Sequence, residues 1–374
     1  MGAPSVLVLG GSVTGGGGVG NNPARAWHAF LGDAKTKVHY KNAVGPSYFL
    51  HCTERFVDAD AAPHVVLLDL GPNLFGTGAA DSLVALIRRL RCLYQPPYQT
   101  PSIAVLNWPG ALRTNASLVA TRRTGAALLA VPHGPELYAN NDRVHPNAHG
   151  HALIALRVRE YLDRLPGRTI PPPEDCALLE SEACFPHAMD MPVVRNAQGE
   201  PHDWALVDDS HTPASVHKYG WTSSTPGANL TLVVPQDDEC GAMVTLAYLA
   251  SNATGPFWLT CAPGCACTPV RTYHQRRIHP FPVVTGREDC DRSGGCDGLK
   301  VTRDTAFSLL RARRASCRVT VTALTRRRVR LDGLYVQVPS EEYVRHVLNS
   351  PSATAEQLRF ATNALRTQCE AGAR

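Results

Sequence analysis

Val6-Leu7-Val8-Leu9-Gly10-Gly11-Ser12-Val13-Thr14-Gly15-Gly16-Gly17-Gly18-Val19-Gly20 is the stretch on which the reading of this sequence turns. Four aliphatic residues closed by glycines fit a strand buried on both faces of a parallel sheet. Beyond it, Pro23–Leu31 predicts a short helix with proline in its first turn. Val38–Lys41 and Val65–Leu70 predict two more strands. Ala79–Tyr94 predicts an amphipathic helix with Leu83, Leu86, Ile87 and Leu90 on one face and Arg88, Arg89 and Arg91 off it. Ser102–Asn107 and Ala127–Val131 add strands, and Ala148–Leu165 closes the series as a helix. Strands alternating with helices imply a parallel sheet covered on both faces. Ligand sites in such sheets lie beyond the carboxyl ends of the strands.

At 374 residues the chain is long enough for two domains. Pro166–Pro173 is a linker by composition. Beyond it the period changes to strict alternation, as in Leu230-x-Leu232-x-Val234, Val244-x-Leu246-x-Tyr248 and Val319-x-Val321. These runs predict an antiparallel β-sandwich of jelly-roll type. The expected division is an α/β domain over residues 1–165, a linker over 166–203, a cysteine-rich sandwich over 204–339 and a helical tail over 340–374. In the tail, Thr354-x-x-Gln357 fits a capping box.

Hydrophobic residues make up 44% and charged residues 18%, so the chain can bury a core. The longest apolar runs, such as Ala126–Val131, fall far short of the ~20 residues of a spanning helix, which excludes a transmembrane segment. Net charge is +5 with the basic residues scattered, which argues against a nucleic-acid partner. Two short clusters, Arg311-Ala312-Arg313-Arg314 and Arg326-Arg327-Arg328, read as solvated strand ends.

Ten of the 12 cysteines follow residue 165. An even total clustered in one half reads as a disulfide-stapled domain from an oxidising compartment. Three sequons agree: Asn115-Ala116-Ser117, Asn229-Leu230-Thr231 and Asn252-Ala253-Thr254. Together they place the protein in the secretory pathway or outside the cell. Against this, Met1-Gly2-Ala3-Pro4-Ser5 runs straight into the first strand with no signal peptide. Either the native N-terminus is longer or the cysteines are reduced. Cys261, Cys265, Cys267, Cys290 and Cys296, with His274 and His279 nearby, fit no common zinc spacing, which favours disulfides.

The glycine-rich turn admits three functional readings beside a plain flexible loop. Gly15-x-Gly17-x-x-Gly20 fits a dinucleotide loop, but the second strand runs into Lys41-Asn42 where an acidic residue should hold the ribose. No Lys-Ser/Thr follows the glycines, so a P-loop is excluded. The third reading makes Ser12 a nucleophile, which needs a base and a group that orients the base. Asp142-Arg143-Val144-His145-Pro146 supplies both, with Pro146 suited to the first helical position. The bland alternative is that Asp142 caps the helix and His145 is a surface residue. His145, His149 and His151 lie close enough to suggest a metal, but the glutamate of the metalloprotease motif is absent, and no metal is assigned.

Acyl transfer also needs donors for the oxyanion. Asn42-Ala43-Val44-Gly45 follows the second strand and Gly71-Pro72-Asn73 the third, both facing the crevice of Ser12. The Asn73 side-chain amide and the backbone N–H groups of Gly45 and Ser12 are the candidate donors.

The order Gly10-Gly11-Ser12, Asn42-Ala43-Val44-Gly45, Gly71-Pro72-Asn73 and Asp142-x-x-His145 resembles the four blocks of the SGNH hydrolase (GDSL esterase/lipase) superfamily. The resemblance covers residues 4–165. It implies a three-layer α/β/α flavodoxin-like domain that hydrolyses esters through an acyl-enzyme, without a cofactor. Ser12 would be the nucleophile, His145 the base and Asp142 its partner, with Ser12, Gly45 and Asn73 lining the oxyanion hole. Gly11 replaces the aspartate usual before the serine, and Leu74 the aspartate often found after the asparagine. The plant polysaccharide O-acetyltransferases share the serine and the Asp-x-x-His motif, but their Trp-Cys segment after the histidine is missing.

The expected activity is a serine esterase removing acyl groups, acetate above all, from a glycan or a small ester. The alternatives are an O-acyltransferase using the same triad and a catalytically silent glycan-binding or cell-surface protein. Trp204, Trp258 and Lys218-Tyr219-Gly220-Trp221 are candidates for a sugar platform, with two of the three tryptophans expected in the core.

Overall fold

In the computed structural model of the protein the aliphatic run opens the fold as β1 (Ser5–Gly10), whose last five residues are buried. It is followed by β2 (Lys35–Tyr40), α1 (Pro46–His51), α2 (Thr53–Phe56), β3 (Val65–Asp69) and α3 (Ala79–Leu93). Then come β4 (Ser102–Asn107), α4 (Ala111–Thr124), β5 (Ala127–Ala130) and α5 (Ala148–Asp163). The five strands form one parallel sheet in the order β2-β1-β3-β4-β5, the flavodoxin-like order. Strand order reverses at β1, so a crevice opens beyond the carboxyl ends of β1 and β3.

Strand alternation divides the side chains between two helical layers. Val6, Val8, Val65, Leu67, Ala104 and Leu106 pack against Ile154, Ala155 and Val158 of α5 and against Trp27 and Leu31. The alternate residues Leu7, Leu9, Val66, Leu68, Ile103 and Val105 are equally buried on the other face, the side of the mutually packed α1, α3 and α4. Each such aliphatic side chain contributes about 1.5–3 kcal/mol on burial, which explains why β1 and β3 read as unbroken apolar runs.

Several expectations are corrected. Pro23–Leu31 forms two 3-10 turns, Pro23–Arg25 and Trp27–Phe30, rather than one helix. Arg88 is exposed, but Arg89 and Arg91 are buried: Arg89 pairs with Glu54, and Arg91 donates to the Thr124 carbonyl. Pro146 lies outside α5; Asn147 is its N-cap, accepting from Gly150 N–H at 3.0 Å.

The second unit holds β6 (Leu179–Phe185), β7 (Ala205–Asp208), β8 (Tyr219–Ser223), β9 (Asn229–Pro235), β10 (Ala242–Ala250) and β11 (Phe257–Cys261). β12 (Cys265–Cys267), β13 (Val270–Arg271), β14 (Val301–Ala312), β15 (Ser316–Ala323) and β16 (Val329–Pro339) complete it. β13-β11-β15-β9 make one antiparallel sheet, and the longer strands β14, β10 and β16 centre the other. Leu230, Leu232, Leu259, Val319 and Val321 of the small sheet share one core with Val244, Leu246, Leu334 and Val336 of the large one. This is a β-sandwich. β6 lies inside the stretch read as linker and pairs antiparallel with β16; its two glutamates, Glu180 and Glu182, disguised a strand whose partner is far along the chain.

The structure describes residues 4–42, 44–58, 61–74, 79–94, 100–109, 111–139, 144–165, 179–185, 187–194, 201, 203–209, 219–235, 242–250, 254–261, 265–267, 270–271, 301–312, 316–339, 345 and 348–349. Asp142, Lys218, Arg313, Arg314, the sequon residues Asn252 and Ala253, the cysteines and histidines between 272 and 300, and nearly all of the expected helical tail lie outside them. Cys52, Cys92, Cys184, Cys261 and Cys317 are disulfide-bonded. Among the described residues no helix is long and apolar enough to cross a membrane.

Candidate active site

β1 delivers Ser12 into the crevice through a turn that its glycines make possible. Gly15 N–H returns to Gly11 O, Gly16 N–H to Val13 O and Gly17 N–H to Ser12 O, at 3.2, 2.9 and 2.8 Å. Gly16 and Gly18 sit at φ +83° and +90°, which a side chain would strain. On Gly18 a Cβ would also lie 2.0 Å from the Pro146 carbonyl oxygen, so this turn is pressed against the segment that carries the histidine.

Ser12 Oγ lies 2.9 Å from His145 Nε2, although 133 residues separate them. In the reacting tautomer the hydroxyl donates and Nε2 accepts, which requires the proton to sit on Nδ1. His145 is held by the short bridge between Tyr138 and Pro146 and by Ala139 N–H donating to its carbonyl at 3.0 Å. Asp142, the expected partner of Nδ1, falls outside the described residues.

The residues considered for the oxyanion lie close together. Gly11 N–H donates to Asp69 O at 3.0 Å, tying the serine turn to the end of β3. The next residues form the 3-10 turn Gly71–Asn73, closed by Asn73 N–H on Leu70 O at 2.9 Å. A Cβ on Gly11 would lie 2.9 Å from Asn73 Nδ2, and one on Gly45 would lie 3.5 Å from Asn73 O. Asn73 Nδ2 is buried and has no hydrogen-bond partner among the described residues. A buried amide left unpaired costs about 1–3 kcal/mol, so such a donor calls for a ligand acceptor. Among the described residues no acceptor takes the backbone N–H of Ser12 or Gly45 either.

Beneath the crevice lies a polar layer that the sequence reading missed. Asp69, the last residue of β3, is fully buried. Its Oδ2 accepts from Thr14 Oγ1 at 2.6 Å and Trp27 Nε1 at 2.9 Å, and its Oδ1 from Trp108 Nε1 at 2.9 Å. A buried carboxylate is tolerable only when its oxygens are satisfied in this way. His28 Nε2 donates to Thr14 O at 2.9 Å, and His151 Nε2 to Gly17 O at 3.0 Å. Burial pushes both imidazoles below their ordinary pKa, so each is held neutral. The sequence signal for this layer was slight: an acidic residue closing an apolar strand, and a histidine two positions beyond another.

His149 is exposed and His151 faces the protein interior, so the three histidines considered for a metal do not converge. In the second unit Trp204 and Trp221 are buried in the sandwich core, while Trp258 is 38% exposed. Of the three tryptophans considered for a sugar platform, Trp258 alone has an exposed ring.

The motif blocks and the sheet order make the first unit similar to the SGNH/GDSL esterases. No protein-family model matches the chain, and no curated protein matches it. Solved structures do. One is the psychrotrophic esterase EstA of Pseudoalteromonas sp., 16% identical, covering 43% of this chain and 97% of that one at a TM-score of 0.35. Another is a carbohydrate esterase family 2 enzyme with a carbohydrate-binding domain from Corynascus thermopiles (Myceliophthora fergusii), 18% identical over 43% of this chain and 67% of that one, TM-score 0.35. A third is an acetyl xylan esterase of Butyrivibrio proteoclasticus, 11% identical over 43% of this chain and 64% of that one, TM-score 0.34.

Proposed function

We propose that this protein is a serine esterase whose acyl-enzyme forms on Ser12. The observation that carries the reading is the 2.9 Å contact of Ser12 Oγ with His145 Nε2 beside the buried Asn73 Nδ2, which has no partner among the described residues. Nucleophile, base and oxyanion donor are the three groups acyl transfer requires, and Ser12, His145 and Asn73 are assigned to them.

In this reading Oγ attacks the ester carbonyl carbon as its proton passes to Nε2. The carbonyl oxygen becomes an oxyanion, held by the N–H groups of Ser12 and Gly45 and by Asn73 Nδ2. Collapse breaks the ester C–O bond, and the proton on Nε2 leaves with the alcohol. Water then attacks the acyl carbon with Nε2 again as base; the bond to Oγ breaks, the carboxylic acid leaves, and Nε2 returns its proton to Oγ. Asp142 is assigned to Nδ1, where a carboxylate fixes the tautomer and stabilises the imidazolium.

The substrate proposed is an O-acylated glycan, acetyl first, processed in the secretory pathway or outside the cell. Support comes from the bonded cysteines and from Trp258, whose exposed ring on β11 suits stacking against a sugar. The esterase is assigned to residues 1–165 and substrate positioning to the sandwich, 204–339. The test is turnover of p-nitrophenyl acetate and of acetylated oligosaccharides, with released acetate measured by enzyme-coupled assay. Acetate release by wild type and none by Ser12→Ala supports the reading. Acetyl appearing on an added sugar instead of in solution would assign the same acyl-enzyme to a transferase. No turnover of any ester would leave a silent binding protein.

A further inference from the structure

His151 is fully buried in α5 and has no part in the chemistry above. Its two ring nitrogens are nonetheless both committed. Trp27 N–H donates to Nδ1 at 3.1 Å, so Nδ1 carries no proton. Nε2 meets the Gly17 carbonyl oxygen at 3.0 Å, which can only accept, so Nε2 carries it. The surroundings therefore fix His151 as the neutral Nε2–H tautomer.

Gly17 in turn touches both members of the dyad. Its N–H donates to Ser12 O at 2.8 Å. Its α-carbon lies so close to the imidazole that an added Cβ would stand 2.4 Å from His145 Cδ2. The one remaining polar group of that residue is the carbonyl that His151 holds. Shifting this carbonyl moves the Ser12 backbone on one side and opens space beside His145 on the other.

We propose that His151 is a positioning residue for the Ser12–His145 pair, acting through the Gly17 carbonyl. The proposal rests on the esterase reading, because it assigns His151 a role in that site. It also makes the site sensitive to acid through His151. Protonating His151 places a second N–H against the Trp27 N–H, two donors facing each other. The charged and titratable groups around it are Asp69, His28 and His145: Asp69 favours the proton, the two histidines oppose it, and burial opposes it most. Protonation thus breaks the Trp27 contact that seats the imidazole against the Gly17 carbonyl.

The experiment is the rate of Ser12 labelling by a fluorophosphonate, measured for wild type, His151→Gln and His151→Met, with melting curves beside it. Glutamine offers a carbonyl to Trp27 N–H and an N–H to Gly17 O; methionine fills the space with neither. The expected result is labelling by the Gln variant within about three-fold of wild type and by the Met variant at least about ten-fold slower, on the scale of a displaced reacting group. The acid limb of the Gln variant should lose one proton of steepness, because its position 151 no longer titrates. If the Met variant does not fold, the acid limb alone decides. A folded Met variant labelling at the wild-type rate, or an acid limb unchanged in the Gln variant, overturns the proposal. Failure of the esterase reading looks different. Wild type itself would not label, while the histidine's imidazole nitrogens, read by NMR, would still show the Nε2–H tautomer.

Discussion

Gly17 packs against the imidazole of His145 so closely that a single added methyl would stand 2.4 Å from Cδ2 and 2.9 Å from the Ser12 carbonyl oxygen. Neither neighbour is the far end of a flexible chain: one belongs to a ring held by the bridged Tyr138–Pro146 segment, the other to backbone. Gly17→Ala must therefore separate serine from histidine. The expected outcome is a fall in kcat of about 100-fold, the effect of misplacing a reacting group by roughly 1 Å. Circular dichroism and kcat on an acetyl ester, measured on the same preparation, check it.

Asn73→Ala removes the buried donor that has no acceptor among the described residues. Its amide is useful only where charge develops, so kcat should fall about 100- to 1,000-fold with KM little changed. Steady-state kinetics on p-nitrophenyl acetate read the split directly. A rise in KM at constant kcat would assign Asn73 to ground-state binding instead.

Asp69→Asn tests the layer beneath the crevice. The carboxylate accepts from Thr14, Trp27 and Trp108, and an amide turns one acceptor into a donor facing donors. The expected cost is about 2–4 kcal/mol, from one or two buried donors left unpaired. Urea denaturation followed by tryptophan fluorescence measures it, since Trp27 and Trp108 report on that layer.

Stability should fall on acidification through the histidines. Burial holds His28, His39 and His151 below their ordinary value of 6.5. Between the folded and unfolded values the unfolded chain binds more protons than the folded one. Stability from these groups is thus complete above about pH 6.5 and is lost as pH falls below it. Melting temperatures from pH 8 to pH 5 should decline, and replacing His151 by Gln should flatten part of that decline.

The fold of the first unit was legible where burial on both strand faces leaves an unbroken aliphatic run, as in β1 and β3. The positions of Ser12 and His145 were legible because strand ends mark the crevice, and the structure places them in contact. Helix α4 was not foreseen, since the residues it buries, Ala116, Ser117, Ala120 and Thr121, are too small or polar to write an apolar stripe. Arg89 and Arg91 looked like a solvated face because pairing with Glu54 and with the Thr124 carbonyl is a property of tertiary partners. Asp69, His28 and His151 escaped for the same reason. A polar residue with distant partners carries no local period.

The most direct test of the account is fluorophosphonate labelling of the folded, disulfide-bonded protein, with peptide mapping and with Ser12→Ala beside it. Predicted is covalent label on the peptide carrying Ser12, absent from the alanine variant. Folded wild-type protein that takes no label, or takes it on another serine, contradicts the assignment of Ser12 as the nucleophile.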